Sequence, residues 1–292
     1  MSSHCGTIFV EQARVMFQES FPGRQYVLRL HAPRCAAAAT AGSFAHVTVD
    51  PAIPMRRPLS IMRVDVEAGW IELLFKVSGS GLSHLASRRP GDELSLIGPI
   101  GRGFEPDPTR PLSLLIGGGV GIPPMIFLAE TLRGRWAEGF RPLAIFGSEL
   151  PFPFRARPSR IVVPGMPEGV IASMPLLEDW GIASRLTSKS GFPGCHDGTV
   201  TDLSRLWLQQ LTPESLARVQ VFACGPTPML KAVAALAREF GVACQVSLEE
   251  YMACAVGGCA GCTVEVATPA GPAMKRVCVD GPVFDAATVY GC

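Results

Sequence analysis

Four cysteines in the C-terminal part of the sequence have a spacing that points to metal chemistry. They are separated by four, two and 15 intervening residues: Cys254, Cys259, Cys262 and Cys278. This is the spacing of plant-type [2Fe–2S] sites, in which cysteine thiolates hold both irons. Glycines between the first three cysteines carry no Cβ, so the backbone can wrap closely and direct N–H groups at bound sulfide. The pattern therefore predicts an iron–sulfur cluster on these four cysteines.

Other uses of the same cysteines have weaker support. Zinc sites usually contain two C-x2-C pairs or a mixture of cysteine and histidine, whereas this region has one such pair and no histidine follows His196. Disulfides need an oxidising compartment, and no export signal is evident at Met1–Cys5, so we expect a cytoplasmic protein. A zinc-stabilised interaction protein that is not an enzyme remains the alternative of a different class. Five cysteines fall outside any motif and are assigned no role: Cys5, Cys35, Cys195, Cys244 and Cys292.

Composition limits the range of functions. A chain of 292 residues with 48% hydrophobic and 17% charged residues is globular and long enough for about two domains with a small third module. The formal net charge of +1 provides no field for nucleic acid or for an anionic membrane. The uncharged stretch Pro111–Ala129 is interrupted by glycines and a proline pair, which argues against membrane insertion.

The segment up to about residue 108 has the pattern of a small β-barrel. Short strand-like runs without long helices between them occur at 26–30, 46–49, 71–75 and 93–97. The alanine-rich stretch 32–41 fits either a loop or a helical turn. Three further patches have residues suited to binding, although an ordinary turn explains each one alone: Arg57–Ser60, Gly79–Ser83 and Gly98–Phe104. Backbone N–H groups at a helix start after Gly79 could hold a phosphate.

After about Arg110 the pattern changes to alternating strands and helices. The apolar run Leu112–Ile116 suits a strand buried on both faces, and a glycine-rich turn that opens a helix follows it. Further strands are predicted at 143–146, 160–163 and 219–223, and helices at 124–133, 213–218 and 227–240. The triplet Cys224–Pro226 comes at the carboxyl end of its strand, where open α/β sheets bind nucleotides.

In this order, the barrel, the α/β segment and the cysteine motif resemble the electron-transfer subunit of the class 1B dihydroorotate dehydrogenases, within the ferredoxin–NADP reductase-like superfamily. The resemblance is carried by Arg57–Ser60, Gly117–Pro124 and Cys224–Pro226, together with 247–262 and 278–285. It implies a multidomain β plus α/β protein. Its parts are an FAD-binding β-barrel at 1–108, a Rossmann-like NAD(P)-binding domain at 109–243 and a small [2Fe–2S] module at 244–292.

The resemblance also implies which residues bind each cofactor. The flavin positions carry over to Arg57, Pro58, Leu59, Ser60, Leu74, Phe75, Lys76, Gly81 and Leu82. The nicotinamide end of the pocket carries over to Gly117, Gly118, Gly119, Gly121, Cys224, Gly225 and Pro226. Two departures stand out. The family commonly has threonine where Leu82 stands and arginine where Tyr251 stands; Ser83 could supply the hydroxyl that Leu82 lacks.

The implied activity is NAD(P)H-linked electron transfer. Electrons would pass from NADH through FAD and the [2Fe–2S] cluster to an FMN-containing catalytic subunit in pyrimidine biosynthesis, in a heterotetramer with two of each subunit. A reductase subunit serving another acceptor, of the ferredoxin- or sulfide-linked type, is the alternative. No acid–base pair or nucleophile is predicted. Glu149 could bind the ribose diol of NADH, whereas Arg155, Arg157 and Arg160 are close enough in sequence to bind the 2′-phosphate of NADPH.

Overall fold

A computed structural model describes residues 7–50 and 52–291 of the chain. Cys5 and Cys292, two of the cysteines without a predicted role, lie outside the described residues. Within those residues, none of the helices is long and apolar enough to cross a membrane.

The N-terminal third of the chain is the predicted β-barrel. Six antiparallel strands form it: β1 (Phe9–Phe21), β2 (Gln25–His31), β3 (Phe44–Val47), β4 (Arg57–Asp65), β5 (Trp70–Lys76) and β6 (Glu93–Ile100). They close in the order β1-β2-β5-β4-β3-β6. Leu28 and Leu30 alternate along β2 and are fully buried, because successive side chains of a strand point to opposite faces. Two short helices complete the unit: α1 (Pro33–Ala38), within the alanine-rich stretch, and α2 (Ser80–Ala86).

An α/β unit follows the barrel. Its strands are β7 (Leu112–Gly118), β8 (Arg141–Gly147), a short pair β9 (Arg157–Pro158) and β10 (Ala172–Ser173), then β11 (Ala183–Thr187), β12 (Val219–Cys224) and β13 (Ala243–Ser247). Its helices are α3 (Ile122–Arg133), α4 (Pro175–Asp179), α5 (Val200–Leu208), α6 (Pro213–Leu216) and α7 (Thr227–Phe240), with 3-10 turns at Gly119–Gly121 and Trp136–Glu138. The predicted alternation of strands and helices is thus confirmed.

The C-terminal segment contains a hairpin and returns to the sheet. It comprises β14 (Thr263–Thr268), β15 (Gly271–Arg276), α8 (Val277–Asp280), β16 (Val283–Asp285) and α9 (Ala286–Tyr290). The main sheet has the order β11-β8-β7-β12-β13-β16, with all neighbours parallel except the antiparallel pair β13–β16. The predicted boundary between residues 243 and 244 therefore falls inside β13, and we propose to place the start of the cluster module after Ser247.

One predicted strand of this sheet is wrong. Residues 160–163 form a loop in which Val162 is 86% exposed and the Arg160 backbone N–H donates to Glu178 (2.6 Å). The strand that pairs with β8 is instead β11. It escaped prediction because it carries a charged residue, Arg185, whose guanidinium is buried and donates to backbone carbonyls, among them that of Ile161 (2.7 Å).

Two glutamines fix the linker between the barrel and the sheet. The buried Gln220 amide accepts from the Asp107 N–H (2.9 Å) and donates to the carbonyls of Asp107 (3.1 Å) and Arg110 (2.5 Å). On the next strand, Gln245 accepts from the Glu105 N–H (3.0 Å) and donates to its carbonyl (2.8 Å). These side-chain amides pair with the linker as a neighbouring strand would, so they satisfy backbone groups that the linker leaves unpaired.

A charged contact fixes the other side of the same interface. Arg63 of β4 lies with its guanidinium 5.7 Å from the Trp70 ring centroid and 5.3 Å from that of Trp180, which comes from the α/β unit. It also pairs with Glu130 of α3 at 3.5 Å. β4 begins at Arg57, and α3 begins after the glycine turn. The contact between β4 and α3 therefore helps to fix the distance between two predicted binding segments, the flavin residues at the start of β4 and the glycine turn.

Candidate active site and cluster loop

Three neighbouring strand ends of the main sheet lie in register. Gly117 of β7 pairs with Cys224 of β12, and Cys224 pairs with Ser247 of β13. The glycine turn, the Cys224–Pro226 triplet and the segment leading to the cysteine loop therefore leave the sheet side by side. Adjacent strands are about 4.8 Å apart, and ligands of open α/β sheets bind at these carboxyl ends.

The glycine turn leads directly into α3. Gly119 has φ +55°, a left-handed conformation that favours glycine, and α3 starts at Ile122 with a proline in its first turn. Among the described residues, no side chain caps this helix start. The Ile122 N–H bonds to the Gly119 carbonyl, and Pro123 and Pro124 have no N–H. The backbone of the glycine turn, and not the helix start, is therefore the part that could meet an anionic group such as the pyrophosphate of a dinucleotide.

The glycine turn and the Cys224–Pro226 triplet approach each other too closely for side chains. A Cβ built on Gly121 would overlap the backbone of Cys224 and Gly225. A Cβ on Gly118 would lie 2.5 Å from the Met229 sulfur. Burial raises the pKa of the Cys224 thiol, which is 1% exposed, so the thiol stays protonated. Cys224 is thus a neutral thiol buried beside the glycine turn and not a nucleophile.

The structure also brings together the predicted flavin residues of the barrel. A Cβ on Gly81, in the first turn of α2, would lie 2.5 Å from the Arg57 guanidinium at the start of β4. Arg57 in turn donates to the carbonyls of Met55 (2.7 Å) and Arg56 (3.1 Å), which hold its guanidinium at the barrel end. Arg57 and Gly81 therefore form one surface, although nothing in their sequence spacing places them together.

The remaining flavin positions divide into buried and accessible ones. Leu74 and Phe75 of β5 are 2% and 1% exposed, and Phe75 stacks on Tyr26 with ring centroids 5.4 Å apart. Their side chains belong to the barrel core, so only their backbone could meet a ligand. Leu59 is also buried, whereas the Lys76 side chain is exposed. Pro58, Ser60 and Leu82 are partly exposed.

A cavity of about 380 Å³ lies at the carboxyl edge of the sheet. The predicted residues Gly118, Gly119, Pro226 and Lys76 line it. The sequence analysis missed most of its other lining segments, which are 147–150, 187–189 and 198–200. Two of these segments follow the ends of β8 and β11, so recognition of β11 would have revealed the second of them.

The residues considered for the coenzyme ribose differ in their position relative to the cavity. Glu149 lines it, and within the described residues no side chain pairs with its carboxylate. Arg155, Arg157 and Arg160 do not line it. Arg157 is instead ion-paired with Asp179. The cations that line the cavity are Lys76 and Lys189.

The cysteine loop brings the four predicted ligands into one region. Cys262 and Cys278 are buried with sulfurs 3.3 Å apart, and Cys254 is partly and Cys259 fully accessible. The Cys259 N–H points at the Cys254 sulfur (3.4 Å), and the Gly261 N–H points at the Cys259 sulfur (3.4 Å). Such N–H groups stabilise thiolates and cluster sulfides.

The electrostatics of the loop suit thiolate ligands. Burial raises the pKa of Cys254, but hydrogen bonds from the Val256, Cys259 and Gly258 backbone outweigh it and lower the pKa to about 7. Burial, and then the neighbouring Cys262, raise the pKa of Cys278 to about 12. Bound iron would offset the free-energy cost of deprotonating Cys278, because a cation stabilises neighbouring thiolates.

Backbone contacts attach the cluster loop to both other units. The Leu248 N–H donates to the Pro282 carbonyl (2.9 Å) just after β13, and the Arg102 N–H donates to the Gly281 carbonyl (2.5 Å). Arg276 also donates to the Gly257 carbonyl (2.9 Å) inside the cysteine loop. The glycine-rich turn around Arg102 therefore holds the cluster segment against the barrel.

A closed antiparallel barrel, a parallel sheet with a glycine turn at its carboxyl edge and a four-cysteine loop define a flavin-dependent reductase with an iron–sulfur module. A solved NADH-dependent reduced ferredoxin–NADP oxidoreductase has this fold. Its TM-score is 0.76 at 24% identity over 99% of this chain and 91% of that chain. The family model for the iron–sulfur cluster binding domain of dihydroorotate dehydrogenase B matches residues 249–290.

Two relatives identify the family. The electron transfer subunit of dihydroorotate dehydrogenase B (NAD(+)) from Geobacillus thermodenitrificans is 32% identical over 290 residues, which are 96% of this chain and 98% of that relative. The corresponding protein of Shouchella clausii is 32% identical over 247 residues, 83% of each chain. The chain belongs to the family of dihydroorotate dehydrogenase B electron transfer subunits.

Proposed function

We propose that the chain oxidises NADH and delivers the electrons, through FAD and a [2Fe–2S] cluster, to the FMN-containing catalytic subunit of a dihydroorotate dehydrogenase. The observation that carries this proposal is the register of Gly117, Cys224 and Ser247. It sets the glycine turn, the Cys224–Pro226 triplet and the segment that leads to the cysteine loop on three consecutive strands. From β7 to β13, these features follow the order of an electron path that enters at the coenzyme site and leaves through the cysteine loop.

The residues of the chain bind and orient the reacting groups. The backbone of the glycine turn Gly117–Gly121 would hold the coenzyme pyrophosphate, and Cys224–Pro226 would place the nicotinamide toward the barrel. Arg57 beside Gly81 would hold the flavin and its phosphates. When bound, the flavin accepts electrons in pairs and releases them singly, as a one-electron cluster requires. No side chain is needed as general acid or base, and the protonated Cys224 thiol agrees with that.

A partner surface is part of the proposal. Tyr251 is 96% exposed and Val256 is 49% exposed, and both flank the accessible cysteines of the loop. Exposed aromatic and apolar side chains at such a position support docking of another subunit. The name of the relatives implies a catalytic subunit, and we propose a heterotetramer with two copies of each.

We also propose a cytoplasmic location. None of the eight cysteines that the structure describes forms a disulfide. Free thiols of this number are expected where the compartment is reducing.

Substitution of a cluster ligand tests the electron path. The variant Cys262→Ala should still show flavin bleaching by NADH, because the cysteine loop lies outside the coenzyme cavity. It should lose transfer to the catalytic subunit. The matched control is Cys195→Ala, which removes a partly buried thiol outside the motif. If the Cys262 variant transfers electrons to the partner at the control rate, the proposed route is wrong.

A further inference from the structure

Two arginines of the barrel bind the same buried carboxylate from opposite sides. Glu72 of β5 is 5% exposed and pairs across the barrel with Arg29 of β2 and with Arg63 of β4. The Arg29 guanidinium donates to Glu72 at 2.7 Å, and Nη1 of Arg63 lies 3.7 Å from the other carboxylate oxygen. Both guanidinium groups also lie near the Trp70 ring, 4.1 Å and 5.7 Å from its centroid. The two arginines therefore have similar surroundings within the barrel.

The two arginines differ in the contacts that they make beyond this shared centre. The further contact of Arg29 is with Phe17 of β1, inside the barrel, at 6.0 Å from the ring centroid. Arg63 instead reaches the α/β unit. Its guanidinium lies 5.3 Å from the ring centroid of Trp180, which follows α4, and its Nη2 atom lies 3.5 Å from a carboxylate oxygen of Glu130 on α3. Arg63 thus connects the barrel to two separate elements of the other unit.

The elements that Arg63 joins carry two of the predicted binding segments. β4 begins at the predicted flavin residue Arg57, and α3 begins directly after the turn Gly119–Gly121. At the usual rise of a strand and of a helix, the contact lies roughly 20 Å along β4 from Arg57 and roughly 12 Å along α3 from its start. A change at Arg63 would therefore move the glycine turn relative to the flavin residues, although Arg63 itself does not line the coenzyme cavity.

The surroundings of Arg63 require a guanidinium. A planar guanidinium can lie against two indole rings and offer nitrogen atoms to two carboxylates at once, which an ammonium cannot do. The side chains of Glu72 and Arg63 are 7% and 24% exposed, so solvent and salt screen their attraction only in part. Nε of Arg63 and one carboxylate oxygen of Glu130 are buried and have no hydrogen-bond partner among the described residues. Arg63 is thus held by stacking and charge and not by a dense hydrogen-bond network.

We propose that Arg63 is a positioning residue for hydride transfer. Its contacts with Trp180 and Glu130 hold α3 against the barrel and so set the distance between the nicotinamide and the flavin. The transfer moves a hydride, with its electron pair, from NADH to the oxidised flavin and leaves NAD+. Its rate depends steeply on the separation of the reacting atoms. This inference rests on the proposed function, since it concerns the same transfer step.

The test measures two quantities in the holoprotein: the limiting rate of anaerobic flavin reduction, and the NADH concentration that gives half of this rate. Arg63→Gln should lower the limiting rate roughly 10- to 100-fold, because a displacement of about 1 Å has an effect of that size. The half-saturating NADH concentration should change little, since the cavity lining is intact. Trp180→Leu alters the contact from the other unit and should have the same effect, so the test does not depend on one variant folding.

Arg29→Gln is the matched control. It removes the same charge beside Glu72 and Trp70 but leaves the contact between the units in place. It should lower the stability of the barrel in urea and leave the limiting rate close to that of the wild type. A limiting rate that falls equally in Arg63→Gln and Arg29→Gln, or in neither of them, overturns the inference.

Hydrogen exchange separates this inference from the proposed electron path. It is measured on each holoprotein without coenzyme, so it does not depend on electrons reaching a cluster or a partner. Arg63→Gln and Trp180→Leu should speed amide exchange at the ends of α3 and α4, whereas Arg29→Gln should speed exchange in the barrel alone. Equal exchange of the α/β unit in all of these proteins contradicts the inference, even if the wild type delivers electrons to its partner.

Discussion

The contact between the glycine turn and the Cys224 triplet makes Gly121 the most sensitive small residue of the site. Its φ of −85° and ψ of −2° suit alanine, so Gly121→Ala introduces no backbone strain of its own. The added Cβ would instead overlap the carbonyl group of Cys224 and the nitrogen of Gly225. Neither backbone segment can rotate away, because Cys224 is paired with strands on both sides.

The size of the effect follows from that overlap. Overpacking of a well-packed site costs about 1–3 kcal/mol. A displacement of about 1 Å between reacting groups lowers a rate roughly 100-fold. We expect the rate of flavin reduction by NADH to fall by that order in Gly121→Ala. Gly118→Ala is the comparison variant. There the obstructing atom is the Met229 sulfur at the flexible end of a side chain, so the rate should fall less than in Gly121→Ala.

Stopped-flow anaerobic mixing with NADH measures this rate, and the flavin absorbance retained after gel filtration shows whether the barrel still holds FAD. Retained FAD with slow reduction is the expected outcome for Gly121→Ala. The reasoning is refuted if both glycine variants are reduced equally fast, or if Gly118→Ala loses as much as Gly121→Ala.

Two further predictions concern stability. His46 is fully buried without a hydrogen-bond partner among the described side chains, and burial with Arg56 and Arg57 nearby lowers its pKa from 6.5 to about 4. The unfolded state therefore takes up the proton first, so stability is complete above about pH 6.5 and declines toward pH 4. His46→Phe should reduce the loss of unfolding free energy toward acidic pH by up to about 3 kcal/mol. Urea titrations at several pH values measure this loss, and an unchanged pH dependence of the unfolding free energy contradicts the prediction. Gln220→Ala leaves buried linker groups unpaired and should cost about 1–3 kcal/mol. The less buried Gln245→Ala should cost less in the same titration, and equal losses would count against the buried-linker explanation.

The sequence was most informative where local chemistry determines local structure. The cysteine spacing, the glycine turn after an apolar run and the strand-like runs of the barrel each depend on neighbouring residues. Six strands predicted from such runs are present as β2, β5, β6, β7, β8 and β12, and the helix predicted at 227–240 is α7. That the four motif cysteines hold a cluster, and that the other site residues bind FAD and NADH, remain predictions.

The parts that escaped prediction depend on partners distant in sequence. β11 carries Arg185, whose buried guanidinium donates hydrogen bonds to the carbonyl of its neighbour Ser184 and to that of Ile161, 24 residues away. The adjacency of Arg57 and Gly81 arises from barrel closure. The position of Lys189 at the cavity follows from the pairing of β11 with β8. The assignment of β13 to the sheet likewise rests on strand pairing with β12 and β16.

The central claim is that electrons entering from NADH pass through flavin to a [2Fe–2S] cluster within this chain. The most direct test is an anaerobic titration of the purified protein with NADH, followed by visible absorbance and by electron paramagnetic resonance on the same samples. We predict that flavin absorbance bleaches and that the signal of a reduced [2Fe–2S] cluster appears as NADH is added. A colourless protein that contains zinc, or flavin that bleaches while an intact cluster stays oxidised, would contradict the account.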